Sequence, residues 1–204
     1  MKNKSYLLWM ILPVLIGVFV WAYADGLWRD DNADPQTLPQ DEIDALVEKN
    51  RGINLKIGEK APDFGLIIFG SKDKTMTLSE FDGQKAVIVN FWASWCSYCT
   101  LEMPLFEKVQ QDYGDEVQVI GINLQEGYLD VLKGFVDGIG VTYPLLLDPD
   151  GEAKKAYRVI VQPQTFFIDK NGVLRAMHAG PLSVKQLLDK VHLITESETT
   201  VSST

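Results

Sequence analysis

The sequence predicts an α/β domain with a mixed central sheet flanked by helices, and three stretches carry that expectation. "AVIVNFW" and "VQVIGINL" are continuous apolar runs rich in β-branched residues, the pattern of strands buried on both faces. Between them "LEMPLFEKVQQDYG" has helical spacing and closes on Gly114, so the three form a strand–helix–strand unit with a right-handed crossover. "TFFID" and "VLRAMHAG" flank Lys170-Asn171-Gly172, and Asn-Gly between apolar runs marks a tight hairpin, which makes this pair antiparallel.

In chain order, the first feature is "YLLWMILPVLIGVFVWAYA", residues 6–24, which carries no charge. At ~1.5 Å per residue, a helix of this length reaches roughly 28 Å, about the hydrocarbon thickness of a bilayer. Lys2 and Lys4 precede it and the acidic "DGLWRDDNADPQTLPQDEID" follows, which favours a cytoplasmic N-terminus and an extracytoplasmic remainder. Ala22-Tyr23-Ala24 also resembles a cleavage site, so a removed signal peptide competes with a single-pass anchor. The length of the run and the interfacial aromatics Trp21 and Tyr23 favour the anchor. Residues 1–24 are therefore read as anchor or signal peptide and 25–56 as an acidic linker. The linker holds one short helix in "PQDEIDALVEKN", capped by Gln40 or Asp41. The folded domain is expected over 57–194 and a disordered tail over 195–204, "TESETTVSST".

Within the domain, "DFGLIIFG" and "KTMTLSEFDGQ" supply two short strands, the second running into a turn, ahead of "AVIVNFW". After "VQVIGINL", a helix is expected in "GYLDVLKGFVDGIG", an extended segment in "YPLLLD", and a turn with a short helix in "PDGEAKKAY". "SVKQLLDKVHLI" closes the domain as an amphipathic helix that Ser183 can cap.

Charge narrows the function before any motif does. The formal net charge is −9; without Lys2 and Lys4, 17 basic side chains face 28 acidic ones, a net of −11. Such a surface repels phosphate backbones and anionic headgroups, so no nucleic-acid partner is expected.

The chemistry is carried by Cys96 and Cys99, the two cysteines of the chain. A structural zinc site needs four ligands, and His178 and His192 stand at no ligand spacing from the pair, so no metal is expected. A disulfide here would close a loop of two intervening residues and would stabilise little. The reactive reading has a positive argument. Cys96 lies where a buried strand meets a helix, facing the unpaired N–H groups and positive dipole end that stabilise a thiolate. Cys99 follows one turn later on the same face, within reach of a mixed disulfide formed at Cys96.

Taken together, "GEKAPDF", "LSEFDGQKAVIVNFWASWCSYCTLEMP", "QPQTFFIDKNG" and the N-terminal apolar run resemble the thioredoxin superfamily. The specific likeness is to its membrane-anchored TlpA/ResA-like thiol-disulfide oxidoreductases, over about residues 57–194. That resemblance implies a thioredoxin fold, Cys96 as exposed attacking thiol and Cys99 as buried resolving thiol. It implies a cis peptide bond between Gln162 and Pro163, in a loop beside the disulfide that presents backbone groups to a substrate chain. Glu102 matches the acid of a "CxxCxxE" pattern; buried, it would relay the proton that Cys99 loses, whereas exposed it would only favour the helix dipole. Trp95 is expected at the rim of the site and Trp92 in the packing, while Pro104 is expected to kink the helix without a catalytic role.

Two departures bear on the chemistry. Asn90 stands where thioredoxin has a buried Asp, which moves any proton relay to Glu102. Ser97-Tyr98 replaces the Gly-Pro or Glu-Pro pair, which alters the redox poise. The resemblance implies an enzyme that reduces disulfides of extracytoplasmic proteins, with apocytochrome c thiols as the expected target. It needs no cofactor and is recharged by a membrane electron donor. An oxidase or isomerase of the same fold is the rival within the class, and a redox-inert tethered binding module the rival outside it. A peroxidase is disfavoured because no Pro-x-x-x-Thr-x-x-Cys run leads to Cys96.

Overall fold

A computed structural model describes residues 55–124 and 129–196, within which lie seven strands and four α-helices. The N-terminal apolar run, the linker up to residue 54 and most of the tail lie outside the described residues. Among the described residues no helix is long and apolar enough to cross a membrane.

The strands are β1 (Gly65–Ile68), β2 (Thr75–Thr77), β3 (Ala86–Trp92), β4 (Val117–Asn123), β5 (Leu145–Leu147), β6 (Gln164–Ile168) and β7 (Leu174–Ala179). The helices are α1 (Ser97–Tyr113), α2 (Leu129–Ile139), α3 (Glu152–Ala156) and α4 (Val184–Thr195), with a 3-10 turn at Ser79–Phe81. All strands join one sheet in the order β2-β1-β5-β4-β3-β6-β7. β3 pairs in parallel with β4 and antiparallel with β6, and β6 pairs antiparallel with β7, as the hairpin signal requires. Gly172 ends that hairpin turn at φ +70°, where a Cβ would also press on the Asp82 carboxylate. This is the thioredoxin-like fold: a βαβ half and a hairpin half sharing one mixed sheet.

Every residue of β3 is buried, because both faces of the sheet are covered. The period-2 alternation divides them cleanly. Ile88 and Trp92 pack with Met103, Phe106, Leu187 and Val191 on the face covered by α1 and α4, and Trp92 stacks on Phe135 of α2. Val87, Val89 and Phe91 pack on the other face with Phe166 and Tyr157, whose hydroxyl donates to the Pro62 carbonyl at 2.7 Å. By the same alternation Asn90 points to the α1 face.

α1 closes on Gly114 as its sequence suggests, but in right-handed geometry (φ −59°) and not in the left-handed form common at helix ends. The glycine is required there for space: a Cβ would stand 2.4 Å from the Gln110 carbonyl oxygen. α1 also runs unbroken through Pro104. The closing helix begins on a full capping box, Ser183 and Gln186 exchanging side-chain and backbone bonds.

Candidate active site

The site forms at the carboxyl end of β3, where the chain turns into α1. Cys96 is the N-cap of α1, in extended conformation, and its Sγ accepts the Cys99 N–H at 3.2 Å. The two cysteines are joined in a disulfide across Cα atoms 5.3 Å apart. Cys96 retains 7% of its surface and Cys99 none. Of the two, Cys96 is the less buried, although in the disulfide form it shows solvent only a small opening. Trp95, next to it, is 69% exposed and forms the rim.

The peptide bond between Gln162 and Pro163 is cis. Because Gln164 stands opposite Phe91 in the β3–β6 register, this loop lies at the same end of the sheet as the disulfide. Pro163 is buried, its carbonyl held by the Gly180 N–H at 2.8 Å, while Gln162 is half-buried. The loop is braced from within by Gln164, whose Oε1 accepts the Ile160 N–H.

Glu102 is 2% exposed, so it is not the solvated first-turn side chain of the simpler reading. It lies one turn beyond Cys99 on the buried face of α1, with Met103 and Phe106. Its Oε1 accepts from Asn90 Nδ2 at 2.8 Å and its Oε2 from the Leu182 N–H at 3.3 Å. Burial raises its pKa to about 8, against the smaller opposing effect of these two hydrogen bonds. A carboxyl poised near neutrality, one turn from Cys99, can take up or give back a proton at physiological pH.

The Asn90–Thr165 pair completes the polar cluster. Asn90 Nδ2 also donates to Thr165 Oγ1 at 3.1 Å, and both residues are 0% exposed. The sequence distinguishes Asn90 only as a residue that is not an aspartate, and Thr165 not at all. A signal exists: each is a polar side chain on the helix-covered face of a mostly apolar strand. The histidines are placed elsewhere, His178 Nε2 facing the Pro181 carbonyl and His192 packing edge-on against Tyr113.

A mixed sheet, a disulfide at a helix N-terminus and a cis-proline loop at the same sheet end define the class of thioredoxin-like thiol-disulfide oxidoreductases. Comparison with known proteins agrees. Residues 57–177 match the AhpC/TSA family, and the chain belongs to that family, among its ResA-like thiol-disulfide oxidoreductases. It is 34% identical over 144 residues to the thioredoxin-like protein YneN of Bacillus subtilis, covering 69% of this chain and 82% of that one. It is 33% identical over 189 residues to the thiol-disulfide oxidoreductase ResA of Oceanobacillus iheyensis, covering 91% and 86%. The fold superposes on a candidate thiol:disulfide interchange protein DsbE from Chlorobium tepidum with a TM-score of 0.61 and 31% identity, covering 68% of this chain and 96% of that structure.

Proposed function

We propose that this oxidoreductase works as a membrane-tethered reductant of disulfides in extracytoplasmic proteins. The observation that carries the reading is the Cys96–Cys99 pair at the mouth of α1, the first cysteine with a small opening to solvent and the second fully sealed. In the reduced protein the Cys96 thiolate attacks a substrate disulfide, forming a mixed disulfide and expelling one substrate thiolate. Cys99 loses its proton to the Glu102 carboxylate and attacks Cys96, which frees the second substrate thiolate and leaves the Cys96–Cys99 disulfide. Two electrons pass to the substrate, and a membrane donor returns them. Trp95, Gln162 and Pro163 line the approach of the substrate chain; Gln162 offers its backbone groups to an extended segment, while Pro163, with no N–H and its carbonyl held by Gly180, shapes the loop.

The tether is the uncharged run of residues 6–24, with the enzyme domain outside the cell membrane. The likeness to the Oceanobacillus protein supports continuity of design beyond the catalytic domain, since a match over 91% of the chain cannot be confined to residues 55–196. Apocytochrome c is the substrate class we favour, because cysteines that receive haem must first be reduced. A Cys99→Ala variant cannot release its partner and should accumulate a mixed disulfide at Cys96 in cells. Recovery of membrane-exported cysteine proteins in that complex is the expected result, and a variant that traps nothing overturns the reading. The rival oxidase role is separated by the reduction potential: near ~−270 mV or below for a reductant, near ~−120 mV for an oxidant.

A further inference from the structure

If Glu102 takes the Cys99 proton, it must be charged in one half of the cycle and neutral in the other. Each form asks for different partners. A carboxylate only accepts hydrogen bonds, whereas a carboxylic acid also presents an O–H that needs an acceptor. In the water-poor core around α1, an unmet need of either kind costs about 1–3 kcal/mol.

Asn90 is the side chain placed to meet both. It sits in the middle of β3, 0% exposed, fixed on the α1 face by strand alternation. Its Nδ2 is shared between Glu102 Oε1 at 2.8 Å and Thr165 Oγ1 at 3.1 Å, and its Oδ1 has no hydrogen-bond partner among the described residues. As it stands the cluster suits the carboxylate, since Asn90 Nδ2 and the Leu182 N–H both donate to Glu102. Half a turn about the last side-chain torsion of Asn90 exchanges the two ends of the amide. Oδ1 then takes the place of Nδ2, where it accepts the O–H of neutral Glu102 and the hydroxyl of Thr165, itself both donor and acceptor. In either orientation one amide atom is left without a partner, so that count favours neither. The proton on Glu102 decides.

We propose that Asn90 is the positioning residue of the proton step, its carboxamide donating to Glu102 when charged and accepting from it when neutral, and reversing its orientation within each turnover. An aspartate at this position would only accept, and a leucine would do neither. Among the described residues, few ionisable groups face Glu102. Cys99 lies on the same helix, and the buried Tyr143 phenol, whose ionisation burial opposes first, feels the charges of Glu102 and Glu107. His178 stands opposite Thr165 in the β6–β7 register but turns to the Pro181 carbonyl. The remaining contacts of Glu102 come from the uncharged Asn90 and the Leu182 backbone.

The inference rests on the relay role of Glu102, and the test separates the two. In the oxidised full-length protein, the Asn90 side-chain amide signals are followed by ¹H–¹⁵N NMR from pH 5 to 10 beside the Glu102 carboxyl carbon. The expected result is a common inflection near pH 8, lost from the amide in Glu102→Gln. In parallel, the rate of mixed-disulfide resolution is measured against pH. Asn90→Leu removes both bonds, but the one to the carboxylate is charge-assisted and the stronger, so the inflection should move up by about one pH unit and the step slow roughly tenfold near neutrality. Asn90→Asp should split the profile, two carboxyls then sharing one proton. A folded Asn90→Leu with the wild-type profile overturns the Asn90 role while leaving the relay intact, provided Glu102→Gln loses the inflection. A Glu102→Gln variant that keeps it overturns the relay and the Asn90 role together. If neither Asn90 variant folds, the native titration decides alone: an amide that does not follow Glu102 overturns the proposal.

Discussion

The two ends of β6 each hold a buried carboxyl, and the two are treated in opposite ways. At the hairpin end, Asp169 has a side chain with 0% exposure and is met by everything a carboxylate asks for. The Arg175 guanidinium lies 2.6 Å from Oδ2, and the Asn171 and Val173 N–H groups both donate to Oδ1 at 2.9 Å. At the active-site end, Glu102 has one amide and one longer backbone bond and, among the described residues, no cation. The first arrangement fixes a turn; the second leaves a carboxyl whose proton is easily gained and lost. A buried acid becomes structural or chemical according to what is withheld from it.

The largest effect on that comparison comes from disarming the structural end. Asp169→Ala leaves two turn N–H groups and an arginine without their acceptor, and should destabilise the protein by about 3 kcal/mol in chemical denaturation. Arg175→Ala should cost about 2 kcal/mol, less because the arginine is partly solvated, at 35% side-chain exposure.

Glu102 should behave in the reverse sense. Its folded pKa lies above its ordinary value, so the stability it contributes is complete below about pH 4.5 and is lost as pH rises through about 8. Between those limits the oxidised wild-type protein should lose up to ~1.4 kcal/mol per pH unit relative to Glu102→Gln. Unfolding curves for the two proteins at pH 5, 7 and 9 should therefore converge and then cross, the Gln variant being the more stable at high pH. Parallel curves would mean that Glu102 is an ordinary carboxylate.

The smallest expected effect sharpens the same point. Ser183 caps α4 immediately after Leu182, the backbone donor to Glu102. Ser183→Ala should cost about 1 kcal/mol of stability. By loosening that donor it should also push the Glu102 titration slightly upward, an effect readable by carboxyl-carbon NMR.

Much of this architecture is legible in the sequence, for local reasons. β3 and β4 announce themselves through unbroken apolar runs, the hairpin through Asn171-Gly172, and α4 through its amphipathic pattern and the Ser183 cap. The Cys96–Cys99 pair is legible because its chemistry depends on one turn of one helix. What the sequence hides is non-local. β1 pairs with β5 across nearly 80 residues, and Asn90 meets Thr165 across 75. Nothing in the spacing of either pair records the contact. Gly114 shows a subtler limit: a glycine at a helix end reads as a left-handed cap, yet here the reason for it is the Gln110 carbonyl.

The reactivity of the sulfur that opens α1 decides whether this site works as an oxidoreductase. In the fully reduced protein, the rate of alkylation of Cys96 should be measured from pH 4 to 10, with Cys99 monitored by peptide mapping. The account predicts an inflection within the ~3.5–7.5 range of helix-terminal thiolates, with Cys99 labelled far more slowly. An inflection at the ~8.5 of an ordinary thiol, with both cysteines labelled alike, would contradict it.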